Sequence, residues 1–239
     1  MNERTNKTTT APNDPMKTLV EMVTEFNDET KKHLTLRVIN KSHLGERSDV
    51  SYFTVRDTSD LLCYLVVELS LDDISEIRSV TVTHSLLSTW NLMPDDETML
   101  VNIAIENIRS DVNVMPMTEL LTKHSIELAP VDFDVPMFIV TNSLGVHGAN
   151  LIFANEPFNS LVDRFNRDGV IILPSSVHEL LAIPCDIPTE DLIAEFTQII
   201  REVNTEQLQP NEVLSDHPYY YNYNTEKIIP LFSGIKNML

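Results

Sequence analysis

The sequence has few of the residues that build zinc, disulfide and phosphate sites. Only two cysteines, Cys63 and Cys185, occur in 239 residues, and neither lies in a Cys-x-x-Cys pair. This excludes the usual framework of a structural zinc site. We expect free thiols in a reducing compartment, although the sequence leaves a disulfide between the two open. The five glycines form neither a GxGxxG nor a GK[ST] signature, so no common phosphate-binding loop is present.

Basic residues are also scarce. Lys and Arg number 17 against 36 Asp and Glu, which gives a formal net charge of −19. Such a chain is repelled by nucleic-acid backbones and anionic membranes, so we predict neither as a partner. No apolar run reaches the roughly 18 residues of a membrane span. The polar N-terminus MNERTNKTTTAPNDP lacks the apolar region of a secretory signal, and we therefore predict a cytoplasmic protein.

Apolar patterning divides the chain into regions. Residues 1–15 are rich in Thr, Asn and Pro and are predicted to form a disordered tail. Residues 16–127 are predicted to form an α+β region. A Pro- and Asp-rich linker over 128–136 separates it from a second α+β region over 137–239. These regions are predicted to be two domains or one continuous domain.

The first region mixes helical and strand patterns. Apolar residues at helical spacing predict one helix over 16–33, and further helices are predicted after Pro94 and over 117–125. Segments rich in β-branched and aromatic residues predict strands over 34–39, 50–55, 61–69 and 79–84.

The second region has a ββαββα-like order. Strands are predicted over 137–142 and 149–154, then a helix over 156–169, two strands either side of Ser175-Ser176, and a helix over 188–204. Thr189 is the predicted N-cap of that last helix. This order predicts an α+β fold with a mostly antiparallel sheet and helices packed on one face.

The segment VIILPSSVHELLAIP carries most of the catalytic candidates. Ser175 and Ser176 follow a strand end, but the glycines of a GxSxG turn are missing, and hydroxyls at turns commonly bond the local backbone. His178-Glu179 resembles the start of a zincin helix, yet position 182 is Ala, so a metalloprotease is excluded. We interpret His178 and Glu179 as strand residues on opposite faces, either a satisfied structural pair or residues with an acid–base or ligand-binding role.

Two other segments supply further candidates. In LSDHPYYYNYN, Asp216 and His217 could act together, and the neighbouring Tyr219 and Tyr221 suit a protein interface, a small-molecule cleft or packing over the sheet. In TNSLGVHGAN, Asn142 and His147 lie in a glycine turn and are candidate binding residues. The candidate catalytic residues are Ser175, Ser176, His178, Glu179, Asp216 and His217.

These motifs together resemble a family of uncharacterised Gram-positive bacterial proteins that is known only as a domain of unknown function. The family looks like it shares an ILPSSxHE segment, a VN pair at the end of the next helix, and an LSDxxYxY ending. The resemblance is specific from about Met137 to Tyr223 and looser over 61–109, whereas the first 60 residues depart from the family's longer N-terminal half. It implies a fold and a bacterial origin but no activity, substrate or cofactor.

Three functional hypotheses follow. The first is a non-enzymatic protein-binding or regulatory module that engages a protein partner or itself through its acidic surface and tyrosines. The second is a hydrolase-like enzyme in which His178 and Glu179 meet Asp216 and His217, with a serine nearby. The third is a structural or phage-associated assembly component. No cofactor and no metal is predicted under any of them.

Overall fold

A computed structural model of the chain describes residues 15–45, 48–70, 77–119, 136–174 and 176–232. Within these ranges, no helix is both long enough and apolar enough to span a membrane. Several predictions lie outside the described residues, wholly or in large part: the tail over 1–15, the linker over 128–136, most of the helix over 117–125, and Ser175.

The N-terminal helical segment is two helices, α1 (Pro15–Thr24) and α2 (Asp28–Lys32). Asn27 separates them, because its side-chain oxygen accepts hydrogen bonds from the backbone N–H groups of Glu29 and Thr30, each at 3.0 Å. A side chain that caps a new helix start cannot also continue the old helix. The prediction of one helix over 16–33 was therefore wrong at Asn27, although its end before the first strand is confirmed.

A four-stranded sheet follows, with β3 at its centre. β1 pairs with one edge of β3, and β2 and β4 share the other edge, all antiparallel. Its strands are β1 (Leu34–Asn40), β2 (Phe53–Thr54), β3 (Leu61–Ser70) and β4 (Ile77–Thr81). Two helices come next, α3 (His84–Thr89) and α4 (Glu97–Ser110).

The second sheet has six strands in the order β10-β9-β7-β8-β6-β5, and every neighbouring pair is antiparallel. Its strands are β5 (Asn113–Pro116), β6 (Phe138–Thr141), β7 (Gly169–Leu173), β8 (Leu180–Cys185), β9 (Tyr219–Asn222) and β10 (Lys227–Pro230). The helices of this half are α5 (Glu156–Phe165) and α6 (Glu190–Glu206). The α+β class with antiparallel sheets is thus confirmed.

Helices cover both faces of the six-stranded sheet. Successive residues of β7 point to opposite faces. Val170 and Ile172 share a buried cluster with Phe158 of α5, whereas Ile171 shares a second cluster with Phe196 of α6. The prediction that all helices pack on one face was therefore wrong. Because helices cover both faces, β7 is buried along its whole length.

Residues predicted as a strand over 149–154 instead form a 3-10 helix, Gly148–Phe153. The N–H groups of Gly148 and Ala149 donate to the carbonyl oxygens of His178 and Val177, at 2.9 and 3.3 Å. These backbone groups are therefore committed to the loop before β8 and are not available to a strand ladder. That loop also contains Glu179, so the assignment of His178 and Glu179 to a strand was wrong.

The larger buried cluster contains side chains from both halves of the chain. Leu36 and Leu65 of the four-stranded sheet belong to it, as do Phe138, Leu151 and Tyr219 from the second half. The division into regions over 16–127 and 137–239 stays a prediction.

Candidate functional site

Two of the singled-out segments meet in space. The His178 carbonyl oxygen accepts hydrogen bonds from the Thr141 hydroxyl and the Gly148 N–H, both at 2.9 Å. A Cβ at position 148 would lie 2.7 Å from that oxygen and 2.9 Å from the Asn142 nitrogen. Only glycine allows so close an approach. The turn after β6 is therefore fixed against the loop before β8, and the two histidines are brought together.

The histidine rings lie in what we call the histidine cleft, a cavity of about 230 Å³. Its lining residues are Arg37, Val38, Ile39, Tyr64, His147, Val177, His178, Asn211 and Glu212.

Hydrogen bonds orient His178 in this cleft. Its ring centroid is 5.5 Å from that of His147. The backbone N–H of His147 donates to His178 Nδ1 at 3.4 Å, and His178 Nε2 lies 3.4 Å from Glu212 Oε1. A neutral imidazole protonated at Nε2 satisfies both contacts. Glu212 is a carboxylate at neutral pH, because the Gln209 N–H and His178 lower its pKa.

Arg37, which lines the cleft, forms a charged pair with Glu68. The Arg37 guanidinium donates to Glu68 at 2.5 Å, and both side chains are only 14% exposed. Arg37 also donates to His147 Nε2, so this imidazole nitrogen acts as an acceptor. Burial, with contributions from Arg37 and His178, lowers the pKa of His147 to about 4. His147 is consequently neutral at pH 7.

A second polar network surrounds Asp60. Its carboxylate accepts from Tyr219 OH at 2.5 Å and from Ser215 Oγ at 3.2 Å, and it lies 3.1 Å from His217 Nε2. Burial raises the pKa of Asp60, but the hydrogen bonds from His217 and Tyr219 outweigh it, so the net pKa is lowered. A cavity of about 420 Å³ adjoins the network.

The predicted catalytic residues are divided between these two places. Ser176 is 2% exposed, and its hydroxyl accepts the His178 N–H at 3.0 Å. Burial raises the pKa of Glu179, which adjoins them. His217 instead belongs to the Asp60 network, and Asp216 pairs with Arg201 at 3.4 Å near the surface.

The candidate binding residues also differ in their surroundings. Tyr219 and Tyr221 have no exposed surface, and Tyr221 OH donates to Asn159 at 2.7 Å. They pack in the core and cannot present a surface to a partner, so the tyrosine-interface hypothesis is corrected for both. The Asn142 amide closes its own turn on the backbone of Val146, donating at 2.8 Å and accepting at 3.3 Å.

Sequence reasoning missed Arg37, Glu68, Asp60 and Glu212. Arg37 was visible as the basic residue inside the strand pattern LTLRVI, but its partners come from distant segments, so no spacing could identify them. Among the residues that the structure describes, no group of three or more His, Cys, Asp or Glu side chains could hold a metal ion.

The fold and the two polar networks define an α+β protein with two antiparallel sheets. The chain belongs to the family described as a family of unknown function, DUF5688, which matches residues 3–223. The match therefore includes residues 3–60, the part of the chain where the resemblance was expected to fail. No curated protein and no solved structure matches the chain.

Proposed function

We propose that this chain is a binding module without catalytic activity, and that it recognises a positively charged protein partner. One observation carries the first part. In neither polar network does a described serine hydroxyl bond an imidazole nitrogen: Ser176 Oγ accepts a backbone N–H, and Ser215 Oγ donates to Asp60. The hydrolase hypothesis takes a histidine ring as the base that contacts the serine hydroxyl. Neither Ser176 nor Ser215 contacts the ring of His178 or His217, as the hydrolase hypothesis requires of these described residues.

Charge supports the second part. A net charge of −19 attracts cationic partners over distances of about a Debye length and accelerates their association. Electrostatic complementarity of this kind also selects against acidic competitors. Within the histidine cleft, the Glu212 side chain is 31% exposed and is the carboxylate that a partner can reach.

The test uses matched peptide libraries. Fluorescein-labelled extended peptides rich in Lys and Arg are compared with Asp- and Glu-rich versions of the same length by fluorescence polarisation. We expect the basic peptides to bind, with affinity that falls as salt rises, and to be recovered intact by mass spectrometry. Equal binding of both libraries, or no binding, would contradict the cationic partner. Cleavage of bound peptides would restore the hydrolase hypothesis.

Light scattering on the same samples tests the remaining alternative. An assembly component must self-associate in a concentration-dependent way. We expect the mass of a single chain at all workable concentrations without peptide. A defined larger assembly would instead favour the structural hypothesis.

A further inference from the structure

The free edge of β1 presents backbone groups to the histidine cleft. Lys41 N–H donates to Asp60 O at 2.7 Å, and Glu68 N–H donates to His33 O at 2.8 Å. These two bonds show which residues of β1 bond β3. Every second residue bonds β3, and the residues between them direct both N–H and C=O to the outer edge of β1. Val38 is one of the outward-facing residues.

Side-chain amides cover most of this edge. The Asn107 amide donates to Leu34 O at 2.8 Å, and the Asn150 amide donates to Leu36 O at 3.3 Å. Beyond Val38, the Asn40 amide donates to Leu214 O at 2.6 Å and ties the strand to the segment before β9. Covering an edge in this way prevents a second strand from pairing along its length.

Val38 is left between these covered positions. Its outward N–H and C=O have no hydrogen-bond partner among the described residues, and Val38 is one of the residues that line the cleft. Neighbouring donor and acceptor groups on a strand edge match the backbone of one residue of an extended peptide. A cavity of about 230 Å³ is smaller than the roughly 300–1,000 Å³ of sites for drug-sized ligands, which favours one residue over a longer segment.

The charges of the cleft select the side chain of that residue. Arg37 is balanced by Glu68 at 2.5 Å, and the hydrogen bonds of both histidine rings are those of neutral imidazoles. Among the described residues that line the cleft, Glu212 then carries the unbalanced charge, and its side chain is 31% exposed beside His178. A cationic group is attracted there, and the described lining residues include no unpaired cation that would repel it.

We propose that the histidine cleft binds a single lysine or arginine residue of an extended segment, whose backbone pairs with Val38 and whose charged group meets Glu212. The inference rests on the proposed function and assigns it a place. This proposal differs from general attraction to an acidic surface, because it requires that ligand binding affect both the Val38 amide and the Glu212 carboxylate.

The experiment is a ¹⁵N-correlated NMR titration of the full chain. The probes are N-acetyl-lysine N′-methylamide, N-acetyl-arginine N′-methylamide and the uncharged N-acetyl-norleucine N′-methylamide. We expect millimolar binding of one or both cationic probes, with the amide signals of Val38, His147 and His178 moving most. Norleucine should bind more weakly. The Val38 proton signal should move downfield as it gains a hydrogen bond.

Two variants make the test decisive. Glu212→Gln should weaken binding of the cationic probes about two- to fivefold, as for a partly exposed ion pair, and leave norleucine unchanged. Glu206→Gln, at the exposed end of α6, is the matched control and should change nothing. Equal binding of all three probes, or shifts that avoid Val38, would overturn the assignment. If basic peptides bind but these shifts lie elsewhere, the proposed function survives and the cleft does not; if no basic peptide binds, both fail.

Discussion

The Asp60 carboxylate and the His217 ring lie 3.1 Å apart, although 157 residues separate them in sequence. The other ring nitrogen of His217 lies 3.1 Å from the Pro218 carbonyl oxygen. Both partners are hydrogen-bond acceptors, so each ring nitrogen of His217 faces an acceptor. The pair joins the turn before β3 to the segment before β9, and thereby connects the two sheets through a polar contact.

Removing the Asp60 charge should destabilise the protein in a pH-dependent way. The folded-state pKa of Asp60 is lowered from 3.8, so its contribution is present above that value and is lost as pH falls through the lower folded pKa. Asp60→Asn should cost about 1–3 kcal/mol in the free energy of unfolding near pH 7. Urea unfolding of both proteins between pH 2.5 and 7 should show this difference shrinking below about pH 4.

Asp216→Asn provides the control for Asp60. Its side chain is 62% exposed and pairs with the equally exposed Arg201, and such pairs contribute little. The replacement should change stability by less than about 0.5 kcal/mol. A loss as large as that of Asp60→Asn would show that net charge, and not the Asp60–His217 contact, determines the effect.

Gly148→Ala should be among the most damaging single-methyl changes in the chain. The added Cβ would meet the His178 carbonyl oxygen and the Asn142 nitrogen within 3 Å. Both are backbone atoms, and the His178 oxygen is held by two hydrogen bonds. We expect a loss of roughly 2–4 kcal/mol, measured by urea unfolding. Gly45→Ala is the control, since nothing lies within 4 Å of its added Cβ, and it should be nearly neutral.

Neighbouring tyrosines should respond in opposite ways to loss of the hydroxyl. Tyr219 OH donates to Asp60 at 2.5 Å, whereas the buried Tyr220 OH has no partner among the described residues. Removing a bonded group leaves Asp60 short of a donor, but removing an unpaired one relieves a desolvation cost. Tyr219→Phe should lose about 1–3 kcal/mol, and Tyr220→Phe should be neutral or stabilising. Equal losses in thermal unfolding would contradict this reading.

Local features were predictable from sequence and long-range contacts were not. Thr189 was identified as an N-cap, and its hydroxyl indeed accepts the Leu192 N–H at 3.3 Å, because capping depends on residues three apart. The segment over 149–154 was predicted to be a strand, but backbone N–H groups at its start donate hydrogen bonds to the loop at His178. The division of His178 and His217 between two networks depends on Glu212 and Asp60, whose approach no local pattern encodes.

The neutral state of His147 gives a further test by pH. Its folded-state pKa is about 4, below the ordinary 6.5, chiefly because the ring is buried and also because Arg37 and His178 adjoin it. Between these two values the unfolded chain binds a proton that the folded chain does not, so stability should fall as pH decreases from 6.5 towards 4. This window lies above that of Asp60, and the two effects can be separated.

His147→Asn should flatten the decline in unfolding free energy between pH 6.5 and 4.5, because the group that takes up the proton is gone. Asn is a suitable replacement since the backbone there is left-handed, with φ of 56°, a conformation that Asn tolerates. NMR of the wild-type ring should show a neutral imidazole down to about pH 4. In Arg37→Gln the pKa of His147 should rise, because the guanidinium charge that helps to lower it is gone. If the His147 ring titrates near 6.5 in the wild type, solvent reaches it freely. The assignment of a neutral His147 that accepts a hydrogen bond from Arg37 would then be wrong.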